Sequence, residues 1–114
     1  MTPSQQELED RGVIYILSNP LMHGTYKIGL TRVPVSERIK SLRSTSLPLD
    51  FESIYEARSG HALQLEKYIH RALKDNRINS KREFFSFSTD DRAISAVNSA
   101  VMNFSPRKYT EKEG

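Results

Sequence analysis

Residues 13–17 read Val-Ile-Tyr-Ile-Leu and place an apolar or aromatic side chain at every position. In an extended chain, successive side chains point to opposite faces, so both faces of this segment are apolar. β-branched and aromatic residues favour a strand, and two apolar faces indicate a strand that is covered on both sides. The segment therefore predicts the central strand of a sheet.

The other elements follow from periodicity. Residues 25–30 alternate apolar and polar side chains after a turn-rich stretch, which predicts an antiparallel hairpin with residues 13–17. Apolar residues at helical spacing predict further helices, and Ser88 or Thr89 would cap the last of them. The remaining predicted elements are a helix at 35–42, a strand at 51–57, a helix at 61–74, a short extended piece at 84–87 and a helix at about 90–102.

This order of elements predicts an α+β fold, a small mixed or antiparallel sheet with helices packed on it. The length of 114 residues fits one domain, which we place at residues 12–103. Residues 1–11 are expected to form a tail or a short N-terminal helix. Residues 104–114 are expected to form a flexible charged tail.

Composition excludes several classes of protein. The longest apolar run is residues 13–17, whereas a membrane-spanning helix needs about 20, so no membrane association is expected. The polar, acidic residues 1–11 do not resemble a signal peptide. The chain has no cysteine, which excludes disulfides, thiolate catalysis and cysteine-bound zinc and fits a cytoplasmic protein.

Charge is distributed unevenly along the chain. The net charge is only +3, but residues 26–43 hold five Lys/Arg against one acid, and residues 58–82 hold seven against two. Folding could join these two segments into a face that attracts phosphate. A solvated surface with chance clustering is an equally good interpretation of the charges alone.

Two charged residues lie at the borders of predicted buried helix faces. At about 100° per residue, Glu66 lies roughly 70° from the centre of the apolar stripe of its helix, and Arg38 lies roughly 70° from that of the preceding helix. Carboxylates avoid such positions unless they are paired or bind a metal. Glu66 and Arg38 could simply pair with each other, or extend towards solvent.

Glu66 and Arg38 could also take part in the hydrolysis of a phosphodiester bond. Such a site needs oxygen ligands for Mg²⁺ or Mn²⁺, a cation against the phosphate and a base that activates water. Glu66 and Arg38 supply the first two. Tyr15 and Lys27 are candidates for the base or for placing the water.

In order along the chain, four short segments resemble the GIY-YIG nuclease superfamily. Residues 12–15, Gly-Val-Ile-Tyr, match the first half of its signature, and residues 27–29, Lys-Ile-Gly, match the second half with Lys in place of Tyr. Arg38 follows nine residues later, and Glu66 lies in a later helix. Residues 82–85, Arg-Glu-Phe-Phe, resemble the ending of small stand-alone members of the phage and meiotically up-regulated type.

This resemblance covers residues 12 to about 98 and implies a small three-stranded antiparallel sheet flanked by helices. It also implies hydrolytic DNA cleavage with one Mg²⁺ or Mn²⁺ ion. It implies that Glu66 holds the metal, Arg38 binds the scissile phosphate and Tyr15 is the general base or orients the water. Lys27 would be a base or an electrostatic helper. The chain departs from the family pattern at Leu42, where many members carry His or Tyr.

Further residues are expected around this site. His70, Glu83 and Tyr26 are accessory candidates, and His70 could compensate for Leu42 because it lies one turn after Glu66. The residues expected to contact DNA are Arg32, Arg38, Lys40, Arg43 and His61. The expected partner is DNA, bound by a monomer or weak dimer, with a targeting protein as a further candidate partner.

Three functions are compatible with the sequence. The first is a metal-dependent DNA endonuclease, which the set of motifs favours. The second is a catalytically weak DNA-binding module with the same fold. The third is a structural domain in which Arg38 and Glu66 only pair.

Overall fold

The computed structural model describes residues 10–43, 50–78 and 83–106. A short 3₁₀ turn, Lys74–Asn76, follows the second helix. In chain order the strands and α-helices are β1 Gly12–Ser18, β2 Thr25–Thr31, α1 Val35–Leu42, β3 Glu52–Ser59, α2 Ala62–Ala72, β4 Phe84–Ser86 and α3 Asp90–Asn103. The α+β class is confirmed, and each predicted strand and helix is present within one to three residues of its expected bounds.

The sheet has four strands in the order β3-β1-β2-β4, and all neighbours are antiparallel. The expectation of three strands was wrong, because the short extended piece at 84–87 pairs with β2 as an edge strand. Its register places Tyr26 opposite Phe85 and Lys27 opposite Phe84. β1 lies between β3 and β2, which confirms that it is a central strand.

Helices cover both faces of β1. On one face Ile14 and Ile16 pack into a core with Ile28 and with residues of α2 and α3. On the other face Tyr15 and Leu17 pack against Val35 of α1. The uniformly apolar β1 therefore separates two cores, and α1 is the described helix on the face that carries Tyr15.

The beginning of α2 is fixed by a residue that the sequence placed in a tail. The Ala62 amide donates to the Asp10 carbonyl at 2.9 Å, and the Leu63 amide donates to Asp10 Oδ1 at 3.2 Å. These bonds satisfy amides that have no partner within the helix. Of the other residues predicted as tails, 11 and 104–106 are described, and Phe104 packs on Tyr68 with ring centres 5.4 Å apart. Residues 1–9 and 107–114 lie outside the described part of the chain.

The described part of the chain includes no helix that is both long and apolar enough to span a membrane.

We expect Thr89→Ala to lower the free energy of unfolding by about 1 kcal/mol. Thr89 is the N-cap of α3, and its hydroxyl accepts a hydrogen bond from the Arg92 amide at 3.1 Å. Urea denaturation measures the change. Ser88→Ala is the matched control, since Ser88 precedes the cap and is exposed. Equal losses in the two variants would contradict the assignment of the cap.

Candidate functional site

Gly29 makes room for two functional groups on the face that α1 covers. It pairs with Tyr15 across β1 and β2, so both residues face the same side of the sheet. A Cβ at Gly29 would lie 2.6 Å from the Tyr15 hydroxyl oxygen and 2.8 Å from Glu83 Oε2. The Tyr15 hydroxyl and the Glu83 carboxylate thus meet above Gly29, because glycine has no side chain to fill that space.

Arg38 reaches this point from α1. Its Nε donates a hydrogen bond to the Tyr15 hydroxyl at 3.3 Å, and its Nη1 donates to Ser41 Oγ at 3.3 Å. Among the described residues, Arg38 and Glu66 form no ion pair with each other. The guanidinium therefore stands beside the tyrosine and is not neutralised by the glutamate that the sequence offered as its partner.

Lys27 lies two residues before Gly29 and faces the same side of the sheet. Its Nζ is 3.6 Å from Glu83 Oε2 and 5.3 Å from the centre of the Phe84 ring. Phe84 belongs to neither core cluster, whereas Phe85 is fully buried. Lys27 and Glu83 thus form a charged pair over an aromatic ring at the border of the site.

Glu66 is positioned by the outer edge of β2. Beyond the short pairing with β4, this edge presents three backbone groups that need partners. The Ile28 amide donates to the Glu83 carbonyl at 3.0 Å, and the Ile28 carbonyl lies 2.9 Å from His70 Nε2. The Leu30 amide donates to the Glu66 carboxylate. Because Glu66 and His70 are one turn apart, a single face of α2 completes this edge.

The environment of Glu66 disfavours its charged form. Burial is the largest cause that raises the pKa of the Glu66 carboxyl, and the nearby Glu83 carboxylate raises it further. Arg32, the Leu30 amide and Lys27 act in the opposite direction without cancelling the rise. Two like charges in a partly buried place form a site that a cation would stabilise.

The environment of Tyr15 keeps its hydroxyl protonated. Burial is the main cause that raises the pKa of Tyr15, although the hydrogen bond and charge of Arg38 lower it. The carboxylates of Glu83 and Glu66 both raise it. These interactions also show that Tyr15 lies within electrostatic range of both glutamates. At neutral pH the phenol is therefore a hydrogen-bonding group and a poor base.

The structure brings together Tyr15, Lys27, Arg38 and Glu66, with Glu83 as a fifth member. His70 contributes to the β2 edge, and its ring packs against Phe85. Burial lowers the pKa of His70, so the neutral ring donates from Nε2 to the Ile28 carbonyl. This makes His70 a residue that positions the edge next to Glu66.

Tyr26 is not brought to the site. It packs in the core on the opposite face of the sheet, and its hydroxyl donates to Asp90 Oδ1 at 2.6 Å. Burial, followed by Asp90, raises the pKa of Tyr26 to about 12. Its position next to Lys27 in sequence places it on the wrong face, because side chains alternate along a strand.

The remaining residues expected to bind DNA are exposed and form ion pairs within the chain. Arg32 and His61 both approach Asp10, each at 3.8 Å. Lys40 lies 3.7 Å from Glu37, and Arg43 pairs with Asp50. Their exposure leaves them accessible to a ligand, so their contact with DNA stays a prediction.

The fold and site define a small α+β domain with a cluster of acidic, basic and phenolic groups at one sheet edge. A family model described as the T5orf172 domain matches residues 12–101. This match spans most of the chain, and the protein therefore belongs to the T5orf172 domain family. No match was found among curated proteins or among solved structures.

We expect Gly29→Ala to reduce the free energy of unfolding by about 1–3 kcal/mol, because the new methyl group must displace Tyr15 or Glu83. Gly60→Ala is the control, since nothing lies within 4 Å of a Cβ at that position. There we expect a change of less than about 1 kcal/mol. Urea denaturation compares the two variants. A neutral Gly29→Ala would contradict the close approach described above.

The raised pKa of Glu66 has a consequence for stability. A carboxyl whose pKa is raised by folding stabilises the fold at low pH, and this contribution is lost as pH rises through the folded-state pKa. Glu66→Gln should therefore become more stable relative to the native chain as pH rises from 4 to 8. Thermal unfolding across that range measures the difference. A difference that is constant with pH would contradict the prediction.

Proposed function

We propose that this protein is a DNA endonuclease that hydrolyses phosphodiester bonds with one Mg²⁺ or Mn²⁺ ion at a GIY-YIG-type site. The observation that carries the proposal is the meeting of Tyr15, Arg38 and Glu66, from three separate elements, at one edge of the sheet. The hydrogen bond from Arg38 to Tyr15 and the electrostatic coupling of Tyr15 to Glu66 join them. The motif resemblance predicted this same group from residues far apart in sequence.

The donor set fits a hard divalent cation. Glu66 is a half-buried carboxylate, and the repulsion by Glu83 that helps to raise its pKa is the kind that a cation relieves. The described residues include no cluster of three or more acidic or histidine side chains suited to a metal. Mg²⁺ does not need such a cluster, because it often binds one or two carboxylates and completes its coordination shell with water and substrate phosphate. When bound by Glu66, the ion would neutralise phosphate charge and make a water molecule more acidic.

The residues of the chain then have separate roles. Arg38 presents a guanidinium to the scissile phosphate, where it stabilises the charge that develops in the transition state. The protonated Tyr15 hydroxyl accepts from Arg38 and can direct its own proton towards the attacking water or the phosphate. Lys27, held by Glu83 at 3.6 Å, adds positive charge at the border of the site.

DNA is the substrate that best fits both the site and the chain. The membership in the T5orf172 domain family is compatible with a DNA-acting role. Arg32, Lys40 and Arg43 lie exposed on the α1 side of the chain, where they can contact backbone phosphates. Contacts of this kind position the nucleic acid without reading its sequence.

A DNA-binding module with weak catalysis is the second candidate, and Leu42 is the observation that favours it. Leu42 packs beside the core formed by Tyr15 and Val35. It therefore supplies no hydrogen-bonding group where the resemblance expects His or Tyr. His70 does not replace that group, because its Nε2 is occupied by the Ile28 carbonyl.

Cleavage of supercoiled plasmid in Mg²⁺ or Mn²⁺ separates the two candidates. We expect the native chain to nick the plasmid and Glu66→Gln to lose about 100-fold or more in rate. Tyr15→Phe should lose about 100-fold, since it removes the hydroxyl that orders the water. Glu52→Gln, an exposed carboxylate on β3, is the control and should keep the native rate. Equal nicking by the native chain and Glu66→Gln would exclude Glu66 as the metal ligand.

Metal binding can be measured without turnover. Titration of Mn²⁺ followed by electron paramagnetic resonance should give one bound ion per native chain and none for Glu66→Gln. Glu66 must be deprotonated to bind, and its pKa is raised, so the affinity should increase as pH rises through the weakly acidic range. An affinity that is independent of pH, or retained in Glu66→Gln, would place the metal elsewhere.

A further inference from the structure

A cleft lined by three arginines opens on the same face of the sheet as Tyr15. It has a volume of about 760 Å³ and is lined by Arg11, Arg32 and Arg58, together with the beginning of α1. Glu56 is the acidic residue among its lining residues, and its Oε2 already accepts from Ser53 Oγ at 2.8 Å. The lining residues therefore carry a net positive charge.

The sheet register fixes the position of this cleft relative to the candidate site. Val13 pairs with Thr31 on one side and with Arg58 on the other, so these three residues form one row across the sheet. Tyr15 forms the next row on the same face, with Gly29 and Glu56. Neighbouring rows on one face are roughly 7 Å apart. The cleft thus begins at Glu56 in the row of Tyr15 and extends to the row of Arg58 and Thr31.

Two of the three arginines form no ion pair with another described residue and can take an external anion. Among the described residues, no ion pair within 4 Å involves Arg11 or Arg58. Both are exposed, and guanidinium groups match the geometry of phosphate oxygens. Arg32 connects the cleft to the candidate site, because it lines the cleft and its charge also lowers the pKa of Glu66.

We propose that this arginine cleft binds a backbone phosphate of the same nucleic-acid strand, next to the phosphate at the Tyr15–Glu66 site. The proposal rests on the DNA-acting role given above and adds the path that the strand follows, from Glu66 past Arg32 to Arg58. The first amides of α1 have no side-chain cap and also line this cleft, which suits the same ligand. Arg11 and Arg58 are not among the individual residues expected to contact DNA, although Arg58 lies in the basic segment 58–82.

The test measures binding of a labelled duplex by fluorescence anisotropy in EDTA, where no cleavage occurs, between about 50 and 200 mM NaCl. Let K be the association constant for the duplex. The negative slope of log K against log[salt] should become shallower by about one for Arg58→Gln and by about two for the Arg11→Gln/Arg58→Gln double variant. Arg92→Gln on α3 is the matched control, because α3 packs on the opposite face of the sheet. It should keep the native slope.

Further arms distinguish the outcomes. In the presence of Mg²⁺, Arg58→Gln should raise KM and leave kcat unchanged. On a duplex that lacks the phosphates flanking the cleavage point, the native chain and Arg58→Gln should have the same KM. A native slope in both arginine variants overturns the proposal even if the native chain nicks DNA. Reduced slopes without any nicking support the cleft and sink the nuclease function.

Two other results would also overturn the cleft as a strand-binding site. One is the absence of salt-sensitive DNA binding by the native chain. The other is that millimolar inorganic phosphate displaces more DNA than chloride does at the same ionic strength. That result would identify the cleft as a site for a free anion. Circular dichroism of Arg11→Gln and Arg58→Gln separately shows that each variant folds.

Discussion

The outer edge of β2 is the constraint on which the site depends. β4 pairs with only the first part of β2, so the backbone groups of Ile28 and Leu30 must find partners elsewhere. The Glu83 carbonyl, the His70 ring and the Glu66 carboxylate supply them. An unpaired backbone group in a buried place costs about as much as a lost hydrogen bond. The sheet therefore holds Glu66 at the site for a structural reason, independent of any ligand.

The same arrangement leaves the site poorly compensated in charge. Burial and Glu83 act against the charged form of Glu66, and burial keeps Tyr15 protonated. The negative pole at Glu66 and the guanidinium of Arg38 stand at one sheet edge without forming an ion pair with each other. Groups with shifted pKa values that gather in this way are typical of functional sites. The ion pair on which the third interpretation of the sequence depends is absent among the described residues.

The basic surface extends this site along the sheet. Rows of residues across β3, β1 and β2 carry Tyr15 in one row and Arg58 in the next. Antiparallel pairing thus brings residues distant in sequence together along the path that we propose for the nucleic-acid strand. Arg32 joins the two ends of this path, because it lines the cleft and acts on Glu66. Such a path suits a linear polyanion better than a small ligand.

The sequence by itself determined the elements, because apolar periodicity records which side of each strand or helix is buried. It identified β1 as central from residues 13–17, and the motif spacing selected Tyr15, Arg38 and Glu66. Only the tertiary structure decided how these residues meet. The pairing of β4 with β2 and the hydrogen bond between Arg38 and Tyr15 both depend on long-range register and packing. Register and edge contacts arise from long-range packing, which local periodicity does not encode.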